Sequence, residues 1–268
     1  MKIVLWIGNE SNQLALAKKI NDLYLIDTVF LETKNNKSRI TFGLILKKII
    51  EKIFLSTISK SWFGMLSYYK KTDSILSHVN VLHTKNINSE DVYLKTKLIN
   101  PELIIVSGTS LIKDKLLSLT PKLGILNLHT GLSPYMKGGP NCTNWCIANN
   151  QFHLIGNTIM WIDKGIDSGR IVTSELTVFD GHENLLNVHI KVMEHAHELY
   201  LKAIRNIANG KLFSVSQVEI DSGKVYFTKD WTLYEKFRLK INFTEFKVEV
   251  KSNKYKQKQL LLKTIILK

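Results

Sequence analysis

LIIVS, from Leu103 to Ser107, is apolar up to its final serine, and so short a run without polar alternation suits a strand covered on both faces, as in a parallel sheet. Working outward, KIVLWIG (Lys2 to Gly8) has the same texture. It is followed by Asn9, Glu10 and Ser11 and then by Leu14, Leu16, Ala17 and Ile20 at roughly helical spacing, which reads as strand, turn, helix. Ile26 to Leu31, Val79 to His83, Ile125 to Leu128 and Asn157 to Ile162 supply further strands, and Glu183 to Asn209 is a long helical pattern closed by Gly210. Strands alternating with helices predict an α/β sheet of doubly wound type, in which ligands bind beyond the carboxyl ends of the strands. After Gly210 the texture changes to short β-like runs, Leu212 to Glu219, Val225 to Thr228 and Phe243 to Val250, with Lys-rich joints. The expected division is therefore a main domain over 1–209 and a small β-rich appendage over 210–268.

The 268 residues, 44 % of them apolar, can bury a sizeable core, which excludes extended disorder and leaves room for one large domain plus an appendage. Cys142 and Cys146 are the only cysteines, too few for a disulfide framework, and the first residues lack a secretory leader pattern. A cytoplasmic protein is expected. The net charge of +14 invites a nucleic-acid or membrane partner, but it is unevenly placed. Lys34 to Lys71 carries nine basic residues and one acid, Lys224 to Lys268 twelve and four, and the remainder sixteen and eighteen. The centre of the chain is thus near neutral, and no nucleic-acid partner is expected there. Ile40 to Leu55 spaces Phe42, Ile45, Leu46, Ile49, Ile50, Ile53 and Phe54 as one helical face with Lys47, Lys48, Glu51 and Lys52 opposite. The simpler expectation is a helix packed on the sheet with a solvated lysine face; the alternative is a helix that contacts a membrane surface or binds a partner.

Chemically useful residues concentrate in ILNLHTGLSPYMKGGPN, from Ile125 to Asn141. Asn127 and His129 lie two apart at a strand end, so period-two alternation points both toward one pocket. Gly131, Pro134, Gly138, Gly139 and Pro140 then shape a loop that lets backbone approach a ligand. A histidine acting near neutral pH needs a partner that orients its ring, and DKGIDSG, after the NTIMWI strand, offers Asp163 and Asp167. From the residues alone this is an acid/base site of open substrate. Cys142 and Cys146 sit one helical turn apart but lack a second ligand pair, so structural thiols rather than a metal site are expected. His189, His195 and His197 are expected on a solvated or partly packed helix face. Trp145 and Trp161 are expected in the core, and Trp231 is the best candidate for stacking on a nucleotide base.

Together, ILNLHTGLSPYMKGGPN and TIMWIDKGIDSGRIV resemble the formyltransferase family that uses N10-formyltetrahydrofolate, and LIIVSGTSLI with the strand-turn-helix opening is similar to that family's Rossmann-like core. The resemblance covers roughly residues 1 to 207. It implies a catalytic trio of Asn127, His129 and Asp167, with His129 taking the proton of an attacking amine and Asp167 holding the ring. It also implies a folate pocket at Gly108, Thr109, Ser110, Leu111, Ile112, Gly165 and Ile166, with no metal. Asp163 occupies a variable position of the turn and is given no catalytic role. Where many relatives have Pro after the His, Leu-Leu-Pro in the loop and Arg before its Gly, this chain has Thr130, Leu132-Ser133-Pro134 and Lys137; these departures lie on the acceptor side.

HTGLSPYMKGGPNCTNW together with KVYFTKDW (Lys224 to Trp231) is most similar to bacterial enzymes that formylate a nucleotide-linked 4-amino-4,6-dideoxy sugar of the kind used in O-antigen and lipopolysaccharide. That likeness implies acceptor contacts at Lys137, Gly138, Gly139, Asn141 and Trp231, and admits a homodimer through the C-terminal strands. The rival acceptor is initiator tRNA, as in methionyl-tRNA formyltransferase, for whose separate barrel-like tRNA-binding domain the residues after Gly210 are few. Glycinamide ribonucleotide formylation would leave the appendage and the Ile40 helix without a role, and a non-catalytic binding module would leave the trio without one.

Overall fold

In the strand Ile3–Gly8 (β1), Ile3, Leu5 and Ile7 point to one face and Val4 and Trp6 to the other, and all are buried, so layers of helix must cover both sides. The computed structural model describes residues 1–34, 41–70 and 78–267. Ile40, the first residue of the expected basic helix, lies outside them.

The chain runs on through Ser11–Asn21 (α1), Ile26–Glu32 (β2), Phe42–Phe54 (α2), Ser56–Lys70 (α3), Asn80–Thr84 (β3), Glu90–Ile99 (α4), Leu103–Ser107 (β4), Asp114–Leu117 (α5) and Gly124–His129 (β5). Met136–Gly138 (β6), Cys142–Ala148 (α6), Gly156–Trp161 (β7), Ile171–Leu176 (β8), Leu185–Ala208 (α7), Lys224–Tyr226 (β9), Leu233–Glu249 (α8) and Asn253–Leu260 (α9) follow. The sheet order is β3-β2-β1-β4-β5-β7-β8, parallel from β3 through β5 and antiparallel at the β5/β7 and β7/β8 pairs. This is a mostly parallel, Rossmann-like α/β fold. Its strand order reverses between β1 and β4, where the crevice for a ligand opens.

On one face, Leu16, Ala17 and Ile20 of α1 and Ala196, Leu199, Tyr200, Ala203, Ile204 and Ile207 of α7 close over Ile3, Leu5 and Ile105. On the other, Val92 of α4 and Leu116 of α5 cover Trp6, Phe30, Ile104 and Val106. Each fully buried aliphatic side chain contributes about 1.5–3 kcal/mol by removal from water. The Tyr200 hydroxyl adds a polar tie, donating to Leu126 O at 2.6 Å and accepting from Val106 N at 3.2 Å, so α7 fixes the ends of the two strands that lead into the crevice.

Three elements differ from the sequence expectation. α2 does not pack its apolar face on the sheet, because α3 occupies the neighbouring space: Met65 and Tyr69 of α3 join Ala15 and Met193 in a separate buried cluster. The segment after Gly210, expected to be β-rich, contains β9 and single bridges at Val215 and Ile265 but is mainly helical. Phe243 to Val250 is the C-terminal part of α8 and its cap, since Leu239, Phe246 and Val250 recur at helical spacing and bury against Phe152 and Phe179.

The third difference is the histidine face of α7, which is interior. His189 and His197 are 4 % and 0 % exposed, with ring contacts to Trp62 and Tyr69. Burial holds His189 down to about 4; His197 is held down to about 3 by burial and by the nearby Lys19 ammonium, against the opposing pull of Glu194. Both folded values lie below the unfolded one, so their neutral forms support the fold fully above pH ~6.5 and that support is lost as pH falls toward 4, at up to about 1.4 kcal/mol per pH unit for each. Thermal melts between pH 7 and 4 are expected to show this acid loss, and the double substitution His189→Leu/His197→Leu to flatten it. An unchanged slope in the double variant would reject the assignment.

Candidate active site

β4 and β5 end side by side, with Val106 paired to Asn127, and the chain beyond each end enters a cleft of about 780 Å³. The β4 exit is held open by Glu32 at the end of β2, whose buried carboxylate accepts from Ile87 N at 2.9 Å and Ser110 N at 2.5 Å. Gly108 starts this wall at φ +69°, and a Cβ there would meet Gln13 at 2.8 Å, so a glycine suits both the left-handed turn and the close approach. Gly108, Thr109, Ser110, Leu111 and Ile112 form one wall, and Gly165 and Ile166 lie on the turn opposite. All seven residues expected at a folate pocket therefore border the same cleft.

Asn127 and His129 project from β5 into the cleft, and Asp167 comes to them from the 163–169 turn. His129 Nδ1 lies 3.3 Å from Asp167 Oδ2, and Nε2 lies 3.0 Å from Met136 O and 3.6 Å from Cys142 Sγ. A ring whose two nitrogens both face acceptors holds a proton on each. Burial, the strongest influence, pulls the His129 pKa down, but the Asp167 charge, Cys142 and Met136 O together outweigh it and bring it up to about 10. His129 is thus an imidazolium at neutral pH, 8 % exposed. No described residue hydrogen-bonds the Asn127 side chain, which leaves its amide for a ligand.

The turn that delivers Asp167 is over-determined. Asp163 Oδ1 accepts from Gly165 N at 3.0 Å and Ser168 Oγ at 2.7 Å, so Asp163 shapes the turn rather than facing His129. Asp167 itself takes φ +47°, and Gln217 Nε2 donates to both Asp167 O and Gly169 O at 2.8 Å. Its Oδ2 also accepts from Gly138 N at 2.9 Å. Gly138 is in turn fixed because β6 pairs with β9: it has φ +85°, and a Cβ there would lie 2.1 Å from Tyr226 O. The segment after Gly210 therefore completes the site.

The residues expected on the acceptor side fall in different places. Gly138 and Gly139 border the cleft. Lys137 Nζ donates to Ser222 O at 3.1 Å and is not part of the cleft wall. The Asn141 side chain caps α6 by accepting from Asn144 N. Trp231 packs edge-on to Trp145 and lines a second cavity of about 370 Å³, which shares Trp62 and Pro140 with the cleft.

Sequence reasoning missed Met136, Cys142 and Gln217, which hold the trio, and Asn12 and Gln13, which line the cleft and whose buried side-chain oxygens have no hydrogen-bond partner among the described residues. For the last two a signal existed: polar residues directly after a buried strand, at the first turn of a helix.

Residues 28–204 match the formyl transferase family. Over 164 residues the chain is 32 % identical to the methionyl-tRNA formyltransferase of Clostridium botulinum, covering 60 % of this chain and 50 % of that protein. The chain spans about half the length of the curated relatives it matches. A 4-N formyltransferase from Francisella tularensis superposes with a TM-score of 0.56 at 21 % identity, covering 89 % of this chain and 86 % of that one. A sugar 3N-formyl transferase studied in the presence of dTDP and 5-N-formyl-THF gives 0.56 at 15 % identity, covering 91 % and 79 %. At these identities the superpositions show a shared fold.

Proposed function

We propose that this chain, which belongs to the formyl transferase family, transfers a formyl group from N10-formyltetrahydrofolate to the amino group of a nucleotide-linked 4-amino-4,6-dideoxy sugar. The observation that carries formyl transfer is the His129 and Asp167 pair set beside Asn127 at the meeting of β4 and β5. When bound, the folate supplies an electrophilic formyl carbon. The cleft suits it: its volume is that of a small-molecule site, and Gly108 to Ile112 offer backbone along one wall. Gly165 and Ile166 would close the opposite side.

Each member of the trio then has a defined task. The His129 imidazolium places a fixed positive charge where an oxygen becomes anionic as an amine adds to a formyl carbon, and the Asn127 amide is free to hydrogen-bond the same oxygen. Asp167 keeps the imidazolium charged through Oδ2. Its Oδ1, which no described residue hydrogen-bonds, accepts the proton given up by the amine and returns it, directly or through water, to the folate nitrogen that would leave as its bond to the formyl carbon breaks. In this reading the proton acceptor is Asp167 rather than His129, because His129 already carries both ring protons.

The acceptor reading rests on the side cavity. Its size suits part of a small molecule, and Trp231 supplies an aromatic wall for a nucleotide base. The likeness in fold to a sugar 3N-formyl transferase studied with dTDP supports it. The identity to methionyl-tRNA formyltransferase favours a second reading, in which charged initiator tRNA is the acceptor and the basic segments hold its phosphates. With N10-formyltetrahydrofolate in the cuvette, tetrahydrofolate release is expected with at least one member of a panel of nucleotide-linked 4-amino sugars. The kcat/KM there should exceed that for methionyl-tRNA by about 100-fold or more, the margin a site built for one acceptor's polar groups achieves. Release with methionyl-tRNA alone would overturn the sugar assignment while leaving formyl transfer standing.

A further inference from the structure

α2 is attached to the protein the wrong way round for a core helix. Phe42, Ile45, Leu46, Ile49 and Ile53 share one face and are exposed at 82, 45, 50, 48 and 64 %, and none of the helix's thirteen residues is buried. The opposite, polar face meets the protein: the Glu51 carboxylate pairs with Lys236 of α8 at 2.5 Å, and Lys240 Nζ donates to Phe54 O at 3.0 Å. Thr41 caps the start of the helix by accepting from Leu44 N, so the helix is a finished element that turns its apolar stripe outward. Such a contiguous exposed apolar stripe marks an interaction surface.

Charge selects the occupant. Lys48 and Lys52 lie one turn after Ile45 and Ile49, respectively, and border the stripe, both exposed. Glu51, the sole acidic residue of α2, faces inward and is neutralised by Lys236. A second copy of this chain on the same face would set lysines against lysines with no acid between them. An anionic lipid surface meets both features at once: acyl chains take the stripe, and lipid phosphates take the ammonium groups on stems long enough to reach the headgroups.

We propose that α2 is an interfacial helix that docks this protein on anionic membranes. No described helix is long and apolar enough to cross a bilayer, so the attachment is peripheral and salt-sensitive. It is independent of which acceptor the active site takes.

The test is sedimentation of the full chain with vesicles of phosphatidylethanolamine containing about 30 mol % phosphatidylglycerol, against phosphatidylcholine vesicles, at low and high salt. Binding is expected on the anionic vesicles at low salt, weakening as salt rises. Ile45→Asp/Ile49→Asp and Lys48→Glu/Lys52→Glu should each weaken it about tenfold or more, with formyl transfer in solution unchanged, since these side chains already face solvent. Failure to bind anionic vesicles at low salt would overturn the proposal. So would equal binding by the Ile45→Asp/Ile49→Asp variant, or a wild-type dimer that this variant converts to a monomer, which would assign the stripe to a second copy.

Discussion

His129→Ala lowers kcat for formyl transfer by about 1,000-fold or more, the scale seen when a fixed charge aimed at a developing oxyanion is removed from a secluded site. The protein still folds. The lost ring contacts Met136 O and Cys142 Sγ at one edge and Asp167 at the other, none of them in the cluster that α1 and α7 close over the sheet, and Asp167 keeps its bond from Gly138 N. Tetrahydrofolate release measures the rate, and a thermal melt checks the fold. A folded variant within tenfold of wild type would remove His129 from the mechanism. KM for the folate should change little, because the walls made by Gly108 to Ile112 and the 163–169 turn do not depend on the imidazole.

Asp167→Asn is the second large effect, and it is more informative than alanine. At φ +47° asparagine is tolerated where alanine would be strained, so the turn is kept while the charge is removed. Burial acts downward on His129 and the Asp167 charge is the largest influence opposing it, so without that charge the histidine falls from about 10. The variant then holds its imidazolium less firmly and lacks the proton acceptor, and kcat is expected to drop about 100- to 1,000-fold. An NMR titration should place the His129 pKa well below the wild-type value of about 10. Stability carries the same signature. In the wild type the folded pKa lies above the unfolded one, so the pair's contribution is complete below pH ~6.5 and is lost as pH rises toward 10. The alkaline loss should shrink in Asp167→Asn. A His129 that still titrates near 10 in that variant would separate the pair.

The sheet was legible because strands buried on both faces leave apolar runs that need no alternation: LIIVS became β4 at the expected residues, and Ile26 to Leu31 became β2 extended by Glu32. β8 went unread, since IVTSEL mixes buried Thr and Ser with a half-buried C-terminal end and is defined by its antiparallel partner β7. Phe243 to Val250 misled for a related reason: its aromatic and β-branched residues favour strand, and only packing on Phe152 and Phe179 selects helix. At the site, Asn127, His129 and Asp167 could be proposed from strand ends and turns. The donors that hold them could not, because Met136 and Gly138 act through backbone atoms and Gln217 acts from far along the chain. The apolar stripe of α2 was visible in the sequence, but the direction it faces depends on Glu51 finding Lys236, a partner 185 residues away.

The bonds from Gln217 to the 163–169 turn cross 50 and 48 residues, and β6 must wait for β9 before Gly138 is fixed beneath the carboxylate. On a ribosome the trio's own residues are all made by position 167, yet their geometry matures only after Tyr226 has left the exit tunnel. A nascent chain can therefore hold the complete set of reacting groups without their working arrangement, which waits for the segment that carries Gln217 and Tyr226.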